Sequence, residues 1–360
     1  MARSALPTIL FAVFASATAA IYFPINIPSR PANPAEQGVF KDLAVTLPDP
    51  TRPLTAPYWF NHLPKTQVEA QQKRWSKNPQ ALGCADPNKF YVGNRFVPPN
   101  EPSIGVLYDS QGIAAGLQAI YDVESLVSGS AHPNCKTLNK YVNDYKFQNQ
   151  PMINSEVIDG RRKYVLTAYF YDPKTICSST HNAASVRNNN GFGTALYFQN
   201  GPTINTLMVA PTTRPEAAAQ NWNNNKCLPL NGYHNFLYSS QWDVKNCTEM
   251  VPNWLFYDEN NILKGFGFTI PGCDPSPRFQ HPPGGIVKYV SGSQCAERVA
   301  NTVLFSNINV YLGPVRDTLN DCNKGFLDTI QKVFLERVKY VCSLTLLTRA
   351  VCSVVGFPSV

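Results

Sequence analysis

Ten cysteines spread from Cys84 to Cys352, behind an N-terminal export signal, constrain this chain more than any other feature. Met1 to Ala20 reads MARSALPTILFAVFASATAA, with one basic residue at Arg3, an apolar run from Leu6 to Phe14, and small residues at Ala15, Ala17, Ala19 and Ala20. That order predicts a signal peptide over 1–20 and a mature chain from near Ile21, because the apolar run is too short to span a bilayer. An exported chain matures in an oxidising compartment. Cys84, Cys135, Cys177, Cys227, Cys247, Cys273, Cys295, Cys322, Cys342 and Cys352 are therefore expected to pair. Ten cysteines admit about 945 pairings, so spacing alone leaves the connectivity open. No C-x-x-C occurs, which argues against a thioredoxin-type site or a zinc ribbon.

With 44% apolar and 15% charged residues over 360 positions, the chain can bury one large core or two smaller ones, and intrinsic disorder is excluded. The formal charge of +7 comes from basic residues that are scattered, so nucleic acid is not an expected partner. The densest basic run, Arg161-Arg162-Lys163, follows Asp159-Gly160 and reads as a solvated hairpin turn. Asn246-Cys247-Thr248 is the one glycosylation sequon, with Asn246 as the acceptor and a central cysteine that disulfide formation can withdraw.

Proline crowds residues 21–57, which suits an extended lead-in. Beyond it, β-branched and aromatic runs alternate with Asn, Pro and Gly breaks. Strands are expected at Ile104–Tyr108, Ile113–Ile120, Tyr164–Tyr171, Ala195–Phe198, Thr206–Ala210, Trp254–Tyr257, Leu263–Ile270, Ile286–Val290 and Thr302–Leu312. Helical spacing is expected at Gln67–Trp75, at Lys136–Tyr145 and from Lys324 onward, and the asparagine clusters 188–190 and 223–225 read as loops. The expected class is α+β: mainly antiparallel sheet with hairpins, a C-terminal helix and disulfide staples. Its segments are a first α+β unit over 58–187, Asn-rich connecting loops over 188–225, and a second unit over 226–360. The apolar stretch Val341 to Val355 holds Arg349 and two cysteines, so it reads as a buried helix, and stable membrane insertion is not expected.

Tyr108-Asp109, Ile113, Gly116 and His132-Pro133 recur as Tyr257-Asp258, Ile262, Gly265 and His281-Pro282, at one offset of 149 (108 to 257, 132 to 281). Both copies read as strand, polar turn and strand. Duplication of one unit and two unrelated hairpins in a mixed sheet fit this pattern equally.

No G-x-S-x-G, H-E-x-x-H, P-loop or dinucleotide fingerprint is present. Histidine chemistry is confined to His62, His132, His181, His234 and His281. His132 and His281, each before a proline and after a candidate hairpin, are the candidate catalytic bases, with Tyr257 and Asp258 as acid and orienter. A histidine or aspartate that merely caps its own turn is the structural counterpart of that reading. Tyr58, Trp59, Trp254 and Phe266 are the candidate aromatic contacts for a flat ligand. His132 and Cys135 make only half a tetrahedral site, so neither a metal nor a cofactor is expected.

The stretch from Cys227 to Leu312 carries CLPLNGYHNF, then NC, then PNWLFYDENNILKGFGF, then FQHPP, then SQC, and then NINVYL. In this order of elements it resembles a group of secreted, cysteine-rich invertebrate proteins of unassigned activity. The resemblance implies export, disulfides and an animal origin, and carries over no catalytic residue. The expected function is that of a secreted, extracellular binding or structural glycoprotein with a small-molecule or extracellular ligand. The alternative is a secreted, cofactor-independent hydrolase or luciferase-type oxygenase acting on a small aromatic or amphipathic substrate.

Overall fold

The β-branched and aromatic runs fold as fifteen strands in a computed structural model that describes residues 40–46, 60–77, 83–85, 90–99, 102–128, 150–178, 191–228, 231–244, 247, 250–313 and 322. In chain order they are β1 (Ala44–Thr46), β2 (Phe60–His62), β3 (Ser76–Lys77), β4 (Asn94–Val97), β5 (Ile104–Tyr108), β6 (Ala114–Asp122), β7 (Asn154–Ile158) and β8 (Arg161–Tyr169). Then follow β9 (Tyr197–Gln199), β10 (Leu207–Val209), β11 (Trp222–Leu228), β12 (Gly232–Leu237), β13 (Asn253–Tyr257), β14 (Leu263–Pro271) and β15 (Phe305–Tyr311). Short helices lie between them: α1 (Gln67–Gln72), α2 (Val123–Ser128), α3 (Pro173–Ile176), α4 (Arg214–Ala219), α5 (Ser239–Trp242), α6 (Gly284–Ser291) and α7 (Gln294–Thr302). The fold is α+β and mainly antiparallel.

One sheet has the order β10-β9-β8-β6-β5-β4-β3, with β7 also paired to β8, and the other has the order β2-β1-β15-β14-β13-β12-β11. The two orders correspond strand for strand. Each sheet ends in a hairpin: β1 and β2, from the start of the chain, extend the second sheet from β15, and β9 and β10, which follow β8 in the chain, extend the first. The sheets are therefore interlocked through the chain itself. Phe198 of the first sheet meets Phe266 and Phe268 of the second edge-on, with ring centroids 5.5 and 5.7 Å apart, inside one continuous core. Each such fully buried ring contributes roughly 2–3 kcal/mol of transfer free energy.

The correspondence reaches individual hydrogen bonds. Tyr108 donates its phenol to the Pro64 carbonyl at 2.9 Å, and Tyr257 donates to Pro211 at 2.8 Å. Asp109 and Asp258 each accept, at 2.8 Å, from the backbone N–H four residues on, Ile113 or Ile262. Thr66 and Thr213 cap α1 and α4, and Glu69 and Glu216 reach back to the backbone N–H before or at the cap, at Lys65 and Thr213. Pro64, Thr66, Glu69, Ala70 and Trp75 thus recur as Pro211, Thr213, Glu216, Ala217 and Trp222 at an offset of 147 (64 to 211, 75 to 222). Arg74 and Asn221, which precede the two tryptophans, both take positive φ, 60° and 63°.

Disulfides Cys84–Cys177, Cys227–Cys322 and Cys247–Cys295 staple this frame, and among the described residues no cysteine is free. Three expectations are corrected. Ile286–Val290 is not a strand but the body of α6, entered through Pro282-Pro283 and stopped by Gly292 in the left-handed region. Asn223–Asn225 is not a loop but part of β11, an edge strand whose register shifts between Asn223 and Lys226. Lys163 is not solvated with its neighbours but is 6% exposed. The candidate helices at Lys136–Tyr145 and from Lys324 onward lie outside the described residues. No helix among the described residues is long and apolar enough to cross a membrane.

Candidate functional site

Buried ionisable groups from both sheets converge at the end of β6. Asp122 closes that strand opposite Lys163 on β8, with cross-strand partners on one face of the pleat. Lys163 Nζ donates to Asp122 Oδ2 at 2.6 Å, while Arg161 Nη2 and the Ser125 N–H donate to Oδ1 at 2.9 and 2.8 Å. The third member comes from the loop after β14. Asp274 Oδ2 accepts from the Asp122 backbone N–H at 2.7 Å, and its Oδ1 accepts from the Ser276 N–H at 3.0 Å. Pro275 and Pro277 stiffen this loop, and Ser306 of β15 fixes it by bridging the Asp274 N–H and the Gly272 carbonyl at 2.7 and 2.8 Å. Beneath it Tyr121 stacks on Phe279, with centroids 4.3 Å apart and planes 12° apart. Asp122, Lys163, Arg161, Ser125 and the Asp274–Pro277 loop line a cleft of about 250 Å³ together with Ser103, Ile120 and Pro102.

The two carboxyl groups are pushed in opposite directions. Burial raises the Asp274 pKa, and the nearby Asp122 charge adds to it, so that it stands above the usual carboxylate value despite its two backbone donors and Lys163. Burial also acts upward on Asp122, but the hydrogen bonds from Lys163 and Ser125 outweigh it and hold Asp122 below that value. One acid inclined to keep its proton thus sits beside one that is held ionised. A larger shallow groove, about 970 Å³, runs between α1 and the turn Ser110–Ile113. Its carboxylate, Glu69, is spent on helix capping, so the groove offers shape with little chemistry.

Tyr257, Asp258, His281, Trp254 and Phe266, the expected site residues that the structure describes, do not line this cleft. Tyr257 is fully buried with its phenol on Pro211, and burial raises its pKa far above the ordinary tyrosine value. Asp258 holds the β13–β14 turn and lies 3.6 Å from Lys264 Nζ. His281 contacts the Phe305 carbonyl through Nδ1 at 2.8 Å and Cys273 Sγ through Nε2 at 3.7 Å. Phe305 pairs with Pro271 at one end of β14, whereas Tyr257 pairs with Leu263 at the other. Eight residues of strand, on the order of 27 Å, therefore separate His281 from the Tyr257-Asp258 pair. Trp254 and Phe266 are buried, Trp254 against Phe236 and Phe256, and Phe266 against Phe198 and Phe268. His132, Tyr58, Trp59 and Asn246 lie outside the described residues, although Cys247 next to Asn246 is bridged to Cys295.

Asp122, Lys163 and Asp274 escape sequence reading because they are 41 and 152 residues apart from one another and meet only through sheet register. The usable signal was Asp274-Pro-Ser-Pro277, an aspartate in a doubly proline-bounded turn. Among the described residues no group of three or more potential ligands is arranged to hold a metal ion. Neither protein-family models, nor curated proteins, nor solved structures gave a match to this chain.

Proposed function

We propose that the chain is a secreted, disulfide-stapled extracellular binding protein whose small ligand occupies the cleft at the end of β6. One observation carries this reading: buried Asp122 and Lys163 of the first sheet meet Asp274 of the second at an opening to solvent. Buried charge is costly unless it is paired and hydrogen-bonded, and ionisable groups shifted by burial and a charged neighbour in a cleft cluster at functional sites. The frame around the cleft descends from one duplicated unit whose end hairpins exchanged sheets, which accounts for two sheets of corresponding order and paired capping bonds. Export rests on the N-terminal signal and agrees with the disulfides. The test is a small-molecule screen by NMR of the mature protein, repeated on Ser125→Trp, which fills the cleft from its rim. Binders that perturb Ser103, Ser125 and Ser276 amides in the parent and vanish in the variant support the reading. Binders indifferent to the variant contradict it.

The enzyme reading rests on the two carboxyls facing one cleft, Asp274 bonded to the Asp122 N–H at 2.7 Å, with opposed pKa directions that suit a general acid and a general base of a hydrolase. Its expected signature is turnover of a small substrate, reduced at least about a hundredfold in Asp274→Asn. Turnover unchanged in that variant would remove the pair from the chemistry.

A further inference from the structure

The most informative group in the cleft is Lys163, whose side chain is 8% exposed. Among the described residues its ammonium has a single acceptor, Asp122 Oδ2, leaving two of its three N–H donors unspent. Glu156, its cross-strand neighbour on β7, is instead paired through both oxygens with Arg95 at 2.8 Å. Arg161 has its Nη2 on Asp122 and Glu124 and is half exposed at the rim. The carboxylate of Asp122 already accepts three bonds, from Lys163, Arg161 and Ser125. What the cleft lacks is oxygen acceptors for cationic donors. We propose that it binds a small oxyanion, a carboxylate or a tetrahedral sulfate or phosphate group, with Lys163 and Arg161 as cationic contacts and Ser103 and Ser125 at its wall.

The inference rests on the cleft being the ligand site, and adds the ligand's chemistry. Size permits it: 250 Å³ is the share of about eight waters at ~30 Å³ each, room for one such group with water around it. Asp274 sets the pH dependence. With it ionised, Asp122 and Asp274 balance Lys163 and Arg161. With it protonated the cleft carries one net positive charge, offset only by the solvated Glu124 at the rim. Burial, which raises the Asp274 pKa, moves this change upward from the ordinary carboxylate range.

The test titrates the mature, ¹⁵N-labelled protein with sulfate and with trifluoroacetate, which both stay ionised between about pH 4.5 and 7.5, so any pH dependence belongs to the protein. Both anions should shift the Ser103, Ser125 and Ser276 amides, with affinity falling at least about tenfold as pH rises through the Asp274 titration. Sulfate alone would select a tetrahedral ligand, trifluoroacetate alone a carboxylate. Asp274→Asn should keep tight binding at the higher pH, and Arg161→Gln, a surface change that does not threaten folding, should weaken binding several-fold at both. Anion shifts that ignore both variants overturn the proposal. If neutral molecules occupy the cleft while the anions do not, the oxyanion assignment falls and the binding site stands. If nothing perturbs those amides, both fall.

Discussion

The backbone N–H of Asp122 donates to the side chain of Asp274 at 2.7 Å, so the end of a strand in one sheet is held by a loop leaving the other. The same Asp122 neutralises buried Lys163. Removing it leaves an ammonium in low dielectric without its hydrogen-bonded carboxylate and releases the Asp122–Ser125 bond. Asp122→Ala is therefore expected to cost about 3–5 kcal/mol in urea unfolding, and Asp122→Ala with Lys163→Met to recover most of that loss. A double variant no more stable than the single one would mean that the charge pair is not the source.

The paired tyrosines give an internal control. Tyr108→Phe and Tyr257→Phe each strand a buried proline carbonyl, Pro64 or Pro211, so each should lose roughly 1–3 kcal/mol. Because the surroundings correspond, the two losses should agree within about 0.5 kcal/mol. A large loss at one site and none at the other would show that the matched geometry does not carry matched energetics.

Acid should act through His234, which burial against Phe256 and Phe236 lowers to about 3 from 6.5, with only a partial offset from the Gly232 carbonyl. The unfolded chain takes up this proton near 6.5 and the folded one does not. Stability is thus complete above 6.5 and falls as pH drops toward 3, by on the order of 3 kcal/mol at about pH 4. Asp274 works in the opposite sense: its folded pKa lies above 3.8, so its contribution is present below that value and is lost as pH rises through the folded one. His234→Leu should flatten the acid limb and Asp274→Asn the rise-dependent loss, as read from melting temperatures across pH. Unchanged profiles would contradict both assignments.

Cys84–Cys177 and Cys227–Cys322 close loops of 93 and 95 residues. Replacing either pair by serines is expected to cost roughly 2–5 kcal/mol, seen as a lower denaturation midpoint that reductant no longer shifts as far. A variant as stable as the parent would show that the bridge does not constrain the unfolded chain.

Sheet content and the hairpins at Tyr108 and Tyr257 were legible because alternation and turn residues are local signals. The second matched segment, Pro64 to Trp75 against Pro211 to Trp222, was hidden by its different offset, 147 rather than 149, which a comparison at one spacing does not see. The Ile286–Val290 run was ambiguous by composition, and its helix is decided by Pro283 before it and Gly292 after it. The charged cleft was illegible for a different reason: Asp122, Lys163 and Asp274 share no segment, and only the β6–β8 register and the return of the β14 loop bring them together. Tyr257, Asp258 and His281, conspicuous in the sequence, have polar atoms engaged by backbone carbonyls and amides.

Asp122 and Asp274 face one cleft with their pKa values displaced in opposite directions. The direct measurement is the pH titration of their side-chain carboxyl carbons by ¹³C NMR in the folded, oxidised protein, assigned with Asp122→Asn and Asp274→Asn. Asp274 should titrate above 3.8 and Asp122 below it, and adding sulfate should move the Asp274 midpoint further up, since the anion favours the protonated form. Two carboxyls titrating together at or below 3.8, indifferent to sulfate, would contradict the assignment of this cleft as a ligand site.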